Sequence, residues 1–288
     1  MLDCRAMRFV CVLDGNPEES GRLLEEACAA RGIAFVPVDA PTFDWDESRR
    51  LAPGDLLFRV SGTPAAANVE RFLFSDGVST IYTDPARVFV DVTSHRLTLS
   101  RAGVPVPPTI CCATSERGTL EGYVARLGGF PLVANLGSEG GRGTIRLDSA
   151  EAFYATMEFC DDHGLLPELS AFIPQALHWR VVVVGGRAVA CYPNPVKPGD
   201  FRSEPSTDPA EYSSVVDAGL AALAVRATAA LGVDFAGVDI LRAPGHPDCV
   251  LEANVPCYFP KAQVMAGIDV AGAIVESLAA KVASGGTM

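Results

Sequence analysis

The sequence predicts an α/β protein with an N-terminal open sheet domain and later α+β subdomains. Over roughly the first hundred residues, short apolar runs alternate with helical spacing, as in parallel strands joined by helices. Further along, apolar runs come in pairs joined by glycine- or proline-containing turns, as in hairpins. With 288 residues, the chain is long enough for two or three packed subdomains.

Composition and charge narrow the class of protein. Apolar residues make up 49% and charged residues 20%, which is typical of a globular protein. The net charge of −12 argues against nucleic-acid binding, since phosphate contacts need clustered basic residues. The longest apolar region, 218–233, is broken by Arg226, and the run at 9–13 is too short for a signal core. We therefore expect a cytoplasmic protein without a membrane segment, whose nine cysteines remain reduced.

The N-terminal elements follow in order, and none of their glycines forms a G-x-G-x-x-G fingerprint. Continuous apolar runs predict four strands, and apolar spacing predicts helices between them. The predicted strands are 8–13, 33–38, 55–60 and 78–82, and the helices are 18–31, one through 66–72, and 87–103. Gly103 and the prolines that follow it mark a boundary. We expect three domains: 1–104, 105–170 and 171–288.

A glycine-rich segment lies between the predicted strands 130–134 and 144–147. It has four glycines within 137–143. Glycines allow backbone N–H groups to approach a phosphate closely. A flexible hairpin without a ligand is the alternative interpretation.

The last third predicts two hairpins and two helices. Strands at 178–184 and 187–192 flank a Gly-Gly turn. Asp208 is the predicted cap of the longest helix, whose apolar spacing continues to Gly232. Strands at 235–241 and 249–251 form the second hairpin, and a helix at 270–282 follows.

The second hairpin carries a candidate metal site. Glu252 and Asn254 are two residues apart, so they project from the same face of an extended chain. The turn between the strands can fold that face against Asp239. Oxygen ligands of this kind suit Mg²⁺. An ordinary polar surface hairpin is the alternative.

The order of these parts resembles a known family. Reading along the chain, the motifs are Leu-x-x-x-Gly-Val-Pro-Val-Pro, Phe-Pro-Leu-Val, the glycine-rich loop, Trp-Arg-Val-Val-Val-Val-Gly-Gly-Arg, Gly-Asp-Phe-Arg-Ser, Phe-Ala-Gly-Val-Asp-Ile-Leu and Leu-Glu-Ala-Asn. From about residue 91 onward the chain is similar to the ATP-grasp carboxylate–amine ligases. Within them it most resembles the group with the ribosomal-protein glutamate ligase and the lysine-biosynthesis ligases.

The resemblance implies a fold, a reaction and cofactors. ATP would lie between two α+β subdomains with its phosphates under the glycine-rich loop, and two Mg²⁺ ions would bind Asp239, Glu252 and Asn254. A carboxylate would attack the γ-phosphate to give an acyl-phosphate, and an amine would then form an amide. The substrates would be small-molecule, peptide or carrier-protein carboxylates and an amine, and dimers are common in such ligases.

The resemblance also implies roles for individual residues. Arg180 and Arg202 would lie near the transferred phosphate, a task that suits guanidinium groups. The alternatives are a strand-edge salt bridge for Arg180 and a plain loop position for Arg202. Contacts with the nucleotide would come from eight further positions: Asn135, Gly140, Gly141, Arg142, Gly143, Ala171, Ile173 and Lys197.

The sequence departs from the family at the phosphates. The family has two phosphate-binding lysines, but Val92 and Asn135 occupy those positions here, and no lysine precedes Lys197. Losing two hydrogen bonds to charged groups costs on the order of 3–6 kcal/mol. Arg87, Arg96 and Arg142 are candidate replacements, of which we prefer Arg142 because it lies in the loop.

Other departures concern the substrate region. His178 replaces an acidic residue, and Cys257 and Tyr258 would face the substrates, although a free cysteine is more often an apolar filler. His95 is expected on a helix surface. These changes leave two alternatives to a ligase: a degenerate, non-catalytic ATP-grasp-like protein or partner subunit, and a small-molecule kinase.

Overall fold

The computed structural model describes residues 6–15, 18–89, 95–111, 114–137 and 143–284, except for the side chain of residue 18. Across these ranges the chain forms three sheets with helices packed between and around them. The predicted α/β class with α+β parts is therefore confirmed. None of the helices in the described ranges is long and apolar enough to cross a membrane.

The N-terminal sheet is parallel, with strand order β2-β1-β3. Its elements are β1 (Arg8–Leu13), α1 (Glu18–Ala29), β2 (Ala34–Asp39), β3 (Leu56–Arg59) and α2 (Pro64–Leu73). The predicted strand at 78–82 is wrong in extent, because only one bridge joins Ser79 to Leu56. Strands of a parallel sheet are usually covered on both faces, which explains why the sequences of these strands are continuously apolar.

A short connection leads to the second sheet. The predicted helix 87–103 is shorter in the described part of the chain, where a 3-10 turn at Pro85–Phe89 precedes α3 (His95–Arg101). The second sheet is antiparallel, with order β4-β7-β5-β6. Its elements are β4 (Thr109–Cys111), α4 (Arg117–Leu127), β5 (Leu132–Asn135), β6 (Thr144–Leu147), α5 (Ala150–Asp162) and β7 (Glu168–Ala171).

The third sheet is antiparallel, with order β11-β10-β8-β9. Its strands are β8 (Leu177–Val184), β9 (Arg187–Pro193), β10 (Phe235–Arg242) and β11 (Cys249–Asn254). The accompanying helices are α6 (Ala218–Leu231), α7 (Pro260–Ala266) and α8 (Val270–Ala283).

Both faces of the third sheet are buried, and β8 shows why its sequence is an unbroken valine run. Val182 and Val184 belong to a core that includes Ile274 of α8, together with residues of the N-terminal sheet. Val181 and Val183 belong to the opposite core, which includes Leu223 of α6. Alternate residues of a strand point to opposite faces, so each face needs its own apolar set.

The start of α6 differs from the prediction. Asp217 caps this helix, because its carboxylate accepts hydrogen bonds from the backbone N–H groups of Gly219 and Leu220. Asp208 instead caps a separate 3-10 turn at Pro209–Glu211. Both aspartates are suitable caps, and spacing alone does not show that the chain is interrupted between them.

Candidate active site

A cavity of about 380 Å³ lies between the second and third sheets. This volume lies within the range of small-molecule sites, which are roughly 300–1,000 Å³. Residues from both sheets and from the loop after β9 line it. Eight of the residues predicted to bind the nucleotide, the metal or the transferred phosphate are among them: Asn135, Ala171, Ile173, Arg180, Arg202, Asp239, Glu252 and Asn254.

Strand pairing brings the candidate metal ligands together. Asp239 of β10 lies opposite Glu252 of β11, and a bulge follows between Asp239 and Ile240. Asn254 follows Glu252 by two residues on β11, and its Nδ2 donates to Asp239 Oδ2 and to Glu252 Oε1, at 3.2 Å each. The amide therefore joins the two carboxylates.

Arg180 stands on the other side of Asp239. Cross-strand pairing places it opposite Asp239, with Nε 2.5 Å from Oδ1 and Nη2 2.7 Å from Oδ2. Burial alone would lower the pKa of Arg180, but the charge and hydrogen bonds of Asp239 raise it overall. The guanidinium therefore remains charged within the protein. The salt bridge given as the alternative for Arg180 is therefore present, and the same residue also lines the cavity.

The electrostatics of Glu252 fit a divalent cation. Its side chain is accessible from the cavity, yet limited hydration there and the nearby charge of Asp239 raise the pKa of its carboxyl group. A cation between two such carboxylates would relieve their repulsion. Two carboxylates and one amide oxygen are a donor set that Mg²⁺ accepts. The described residues contain no cluster of three or more His, Cys, Asp or Glu side chains for a metal.

Three buried polar atoms at the cavity wall have no hydrogen-bond partner among the described residues. They are Arg96 Nη1, His178 Nδ1 and Asn194 Oδ1. Asn194 also donates through Nδ2 to Asp239 Oδ1, at 3.3 Å. Buried polar groups are normally paired, so these atoms indicate that the cavity accommodates a polar ligand or ordered water. Sequence reasoning missed Asn194, since the only available signal was a polar residue just after a strand.

Some of the residues predicted to contact the nucleotide lie in the described part of the chain. Asn135, at the end of β5, accepts a hydrogen bond from Gly137 N–H at 3.0 Å. Gly143 accepts one from Leu136 N–H, also at 3.0 Å, and does not line the cavity. Three predicted loop contacts, Gly140, Gly141 and Arg142, lie outside the described residues, as does Val92. Among the described residues, an uncharged amide therefore occupies the position where the resemblance implies a phosphate-binding lysine.

The loop after β9 carries two residues that the resemblance places at the phosphates or the nucleotide, and only one of them lines the cavity. Arg202 lines the cavity and pairs with Asp200, with Nη2 to Oδ2 at 2.8 Å. Lys197 is exposed, does not line the cavity and pairs with Glu204 at 2.5 Å. A hydrated, exposed ammonium gains little from such a pair, so Lys197 is positioned weakly.

The structure distinguishes between two of the candidate replacement arginines. Arg96 lines the same cavity and is nearly buried, and its Nε donates to Leu251 O at 2.9 Å. Its Nη1 lies 2.9 Å from Glu168 Oε1 as an ion pair, although this contact lacks hydrogen-bond geometry. Arg87 lines a different cavity. Arg96 is thus the described candidate that can bring positive charge to this site.

Two expectations about nearby side chains are wrong, and for Cys257 the alternative of an apolar filler is confirmed. Cys257 is buried rather than facing the cavity, and burial raises the pKa of its thiol to about 12. Tyr258 does not line this cavity either, and its hydroxyl donates to Glu19 at 2.6 Å. His95 is half-buried instead of exposed, with Nδ1 3.0 Å from Ala253 O. Tertiary contacts with distant segments decide all three.

The sequence matches the family described as "RimK-like ATP-grasp domain" over residues 91–278. This chain belongs to the RimK-like ATP-grasp family. It is 32% identical over 184 residues to a "Probable alpha-L-glutamate ligase" of Serratia proteamaculans, covering 62% of this chain and 59% of the relative. It is 29% identical over 184 residues to a "Ribosomal protein bS6--L-glutamate ligase" of Salmonella paratyphi B, with the same coverage. The chain thus matches about three fifths of the length of these relatives.

Solved structures have the same ATP-grasp fold over nearly the whole chain. A RimK domain protein from Sphaerobacter thermophilus is 24% identical with a TM-score of 0.69, covering 94% of this chain and 99% of that one. The ATP-grasp ligase PsnB, complexed with a phosphomimetic variant of its minimal precursor, Mg and ADP, is 15% identical with a TM-score of 0.72, covering 96% and 100%. The resemblance and the fold stated from the sequence are confirmed.

Proposed function

We propose that this protein is an ATP- and Mg²⁺-dependent ligase that joins a carboxylate to an amine through an acyl-phosphate. The observation that carries the proposal is the convergence of Asp239, Glu252, Asn254 and Arg180 on one cavity between two sheets of a RimK-like chain. Glutamate ligases among its relatives support an amide-forming reaction. A ribosomal protein and a precursor peptide, in the names of similar proteins, favour a peptide or protein carboxylate as substrate.

In the proposed reaction, a carboxylate oxygen attacks the γ-phosphorus of ATP, the bond to ADP breaks and ADP leaves. The amine nitrogen then attacks the acyl carbon, the carbon–oxygen bond to phosphate breaks, and the nitrogen loses a proton. Mg²⁺ would supply charge neutralisation at the phosphates. Asp239, Glu252 and Asn254 would hold it, with two ions expected.

The arginines have distinct tasks in this proposal. Arg180 is held in place by Asp239 and presents a fixed guanidinium at the cavity wall, where it would stabilise negative charge on the transferred phosphate. Arg202 would approach from the loop after β9. Arg96 would replace part of the missing lysine charge at the inner phosphates. The subdomain boundaries at 104 and 170, a homodimer and a cytoplasmic location complete the proposal.

Trapping with hydroxylamine tests the reaction even though the natural amine is unidentified. The protein is incubated with ATP, Mg²⁺ and a set of peptide carboxylates, and hydroxamate and ADP are measured. We expect both products in equal amounts, and a loss of at least a hundredfold in Glu252→Gln. Glu158→Gln, an exposed position on α5, is the matched control and should retain the wild-type rate.

A non-catalytic nucleotide-binding protein is the second candidate. Asn135 favours it, because this residue puts no charge where the family has a lysine. Such a protein would bind Mg²⁺·ADP in calorimetry but form no hydroxamate with any carboxylate. A kinase would release ADP on a substrate that yields a stable phosphate ester. Absence of Mg²⁺-dependent ADP or ATP binding would contradict all three functions.

A further inference from the structure

Asp239, a candidate metal ligand, has a third hydrogen-bond donor besides Arg180 and Asn254. Asn194 is 4% exposed, and its side chain donates through Nδ2 to Asp239 Oδ1 at 3.3 Å. A carboxylate only accepts hydrogen bonds, so this contact fixes which end of the Asn194 amide faces Asp239. The proposed function gives Asn194 no task, although it lines the same cavity.

The backbone on both sides holds Asn194 in place. The residue stands between Pro193, the last residue of β9, and Pro195. Proline fixes its own φ angle and restricts the residue before it to extended conformations. Asn194 N–H donates to His178 O at 2.8 Å, which extends the pairing with β8. Ser206 N–H donates to Pro193 O at 3.1 Å where the loop returns. The amide of Asn194 therefore projects from a fixed point beside Asp239.

The donors divide the two oxygens of Asp239 between them. Oδ1 accepts from Arg180 Nε at 2.5 Å and from Asn194. Oδ2 accepts from Arg180 Nη2 at 2.7 Å and from Asn254 Nδ2 at 3.2 Å. A carboxylate has about four acceptor positions, so these contacts use all of them. A cation therefore reaches Asp239 only where one donor withdraws.

Asn254 is the donor that can withdraw. Its Nδ2 also donates to Glu252 Oε1 at 3.2 Å, so it lies between two carboxylates whose repulsion a cation would relieve. A half-turn of this amide offers its oxygen instead, which is a ligand that Mg²⁺ accepts. Arg180 has no acceptor atom to exchange in this way. Asn194 contacts no second carboxylate among the described residues.

The buried amide of Asn194 is unfavourable for folding by itself. Its Oδ1 is buried and has no hydrogen-bond partner among the described residues. An unpaired buried acceptor lowers the stability of the folded chain, and an apolar side chain of the same size would not. The fold therefore carries an amide here against its own stability, as expected of a residue that serves a site.

We propose that Asn194 is a positioning residue for the cation. Together with Arg180 it keeps Asp239 Oδ1 occupied, so that Asp239 binds Mg²⁺ through Oδ2, on the side of Glu252 and Asn254. This inference rests on the metal site of the proposed ligase function. Mg²⁺ keeps several waters when it binds to a protein, and the unpaired Oδ1 of Asn194 can accept a hydrogen bond from one of them.

Calorimetry with MgCl₂, and with MnCl₂ as a second probe, measures cation binding directly, without nucleotide and with ADP. Asn194→Leu should weaken the binding of both ions by about ten- to hundredfold, the usual effect of losing an outer partner of a metal ligand. Its urea midpoint in metal-free buffer should equal that of the wild type or exceed it, because the unpaired acceptor is gone. Asn68→Leu, an exposed position on α2 outside the cavity, should bind both ions like the wild type.

Asn194→Ala keeps the test decisive if Asn194→Leu fails to fold. It cannot overfill the site, and it should show the same loss of affinity with an unchanged near-ultraviolet circular dichroism spectrum. Affinity within twofold of the wild type in either variant overturns the inference and leaves the ligase function intact. Weaker binding that comes with a lower urea midpoint in Asn194→Leu, or with an altered spectrum in Asn194→Ala, shows a purely structural role and also overturns it.

Two further outcomes separate this inference from the reaction. If both variants weaken cation binding as expected but the wild type forms no hydroxamate, the ligase function is contradicted and the role of Asn194 stands. If the wild type binds neither Mg²⁺ nor Mn²⁺, with or without ADP, both are overturned.

Discussion

Arg180 and Asp239 form a two-point ion pair across neighbouring strands, with Nε to Oδ1 at 2.5 Å and Nη2 to Oδ2 at 2.7 Å. Both side chains are largely buried, at 13% and 10% exposure. The pair fixes both the arginine and one candidate metal ligand. It therefore couples the charge balance of the candidate metal site to the stability of the third sheet.

The first prediction removes this arginine. Arg180→Met leaves Asp239 buried without its counter-charge, which typically costs about 3–5 kcal/mol. Urea unfolding should show that loss in metal-free buffer. Saturating Mg²⁺ should restore part of it, because the cation would neutralise Asp239. A loss below about 1 kcal/mol, the size of an exposed pair, would contradict this account.

The second prediction restores a charge. Asn135→Lys should tighten Mg²⁺·ADP binding by about tenfold or more, since a hydrogen bond to a charged group contributes about 1.5–3 kcal/mol. Calorimetry measures the change directly. Asn68→Lys on α2, away from the cavity, is the matched control for net charge. Equal affinities of the two variants would show that Asn135 is not at the phosphates.

The third prediction concerns the close approach of two segments behind Arg180. A Cβ atom on Gly237 would lie 2.6 Å from Cys257 Cβ and 3.0 Å from Arg180 Nη1. Gly237→Ala should therefore lower the free energy of unfolding by about 1–3 kcal/mol and reduce turnover. Adding Cys257→Gly should recover part of both losses.

Gly122→Ala is the matched control for that experiment. This glycine lies within α4, and a Cβ atom added there would meet no neighbouring segment of the described chain within 4 Å. The substitution should therefore gain roughly 0.5–1 kcal/mol of stability. If Gly237→Ala behaves like Gly122→Ala, the third sheet can move to accept the methyl group and the packing argument fails.

The fourth prediction is a pH dependence of stability. Burial lowers the pKa of His95 from its usual value, more than its contact with Ala253 O raises it. The unfolded chain therefore binds the proton more readily than the folded chain. The contribution of His95 to stability is complete above about pH 6.5, the usual pKa of histidine in an unfolded chain, and is lost as the pH falls below that value. His95→Gln should lose less stability than the wild type between pH 7 and pH 5, as measured by urea unfolding. A steeper loss in the variant would contradict the lowered pKa.

Much of the fold follows from local patterns. The valine run of β8, the glycine turn after it and the apolar spacing of α8 each predict their element, because period and turn chemistry are local properties. Boundaries were less predictable. The interruption between Asp208 and Asp217 depends on a bridge between Ser213 and Cys191, which no local pattern contains.

The candidate active site also has one part that local spacing predicts and another that depends on long-range contacts. Spacing predicts the candidate donor set Asp239, Glu252 and Asn254, since residues two apart on a strand project from one face and a hairpin returns that face to its neighbour. Three other facts are visible only in the folded chain: Arg180 pairs with Asp239, Cys257 is buried, and Glu70 lines a different cavity. Those facts depend on contacts between residues far apart in the chain, where burial and charge, and not spacing, set the outcome.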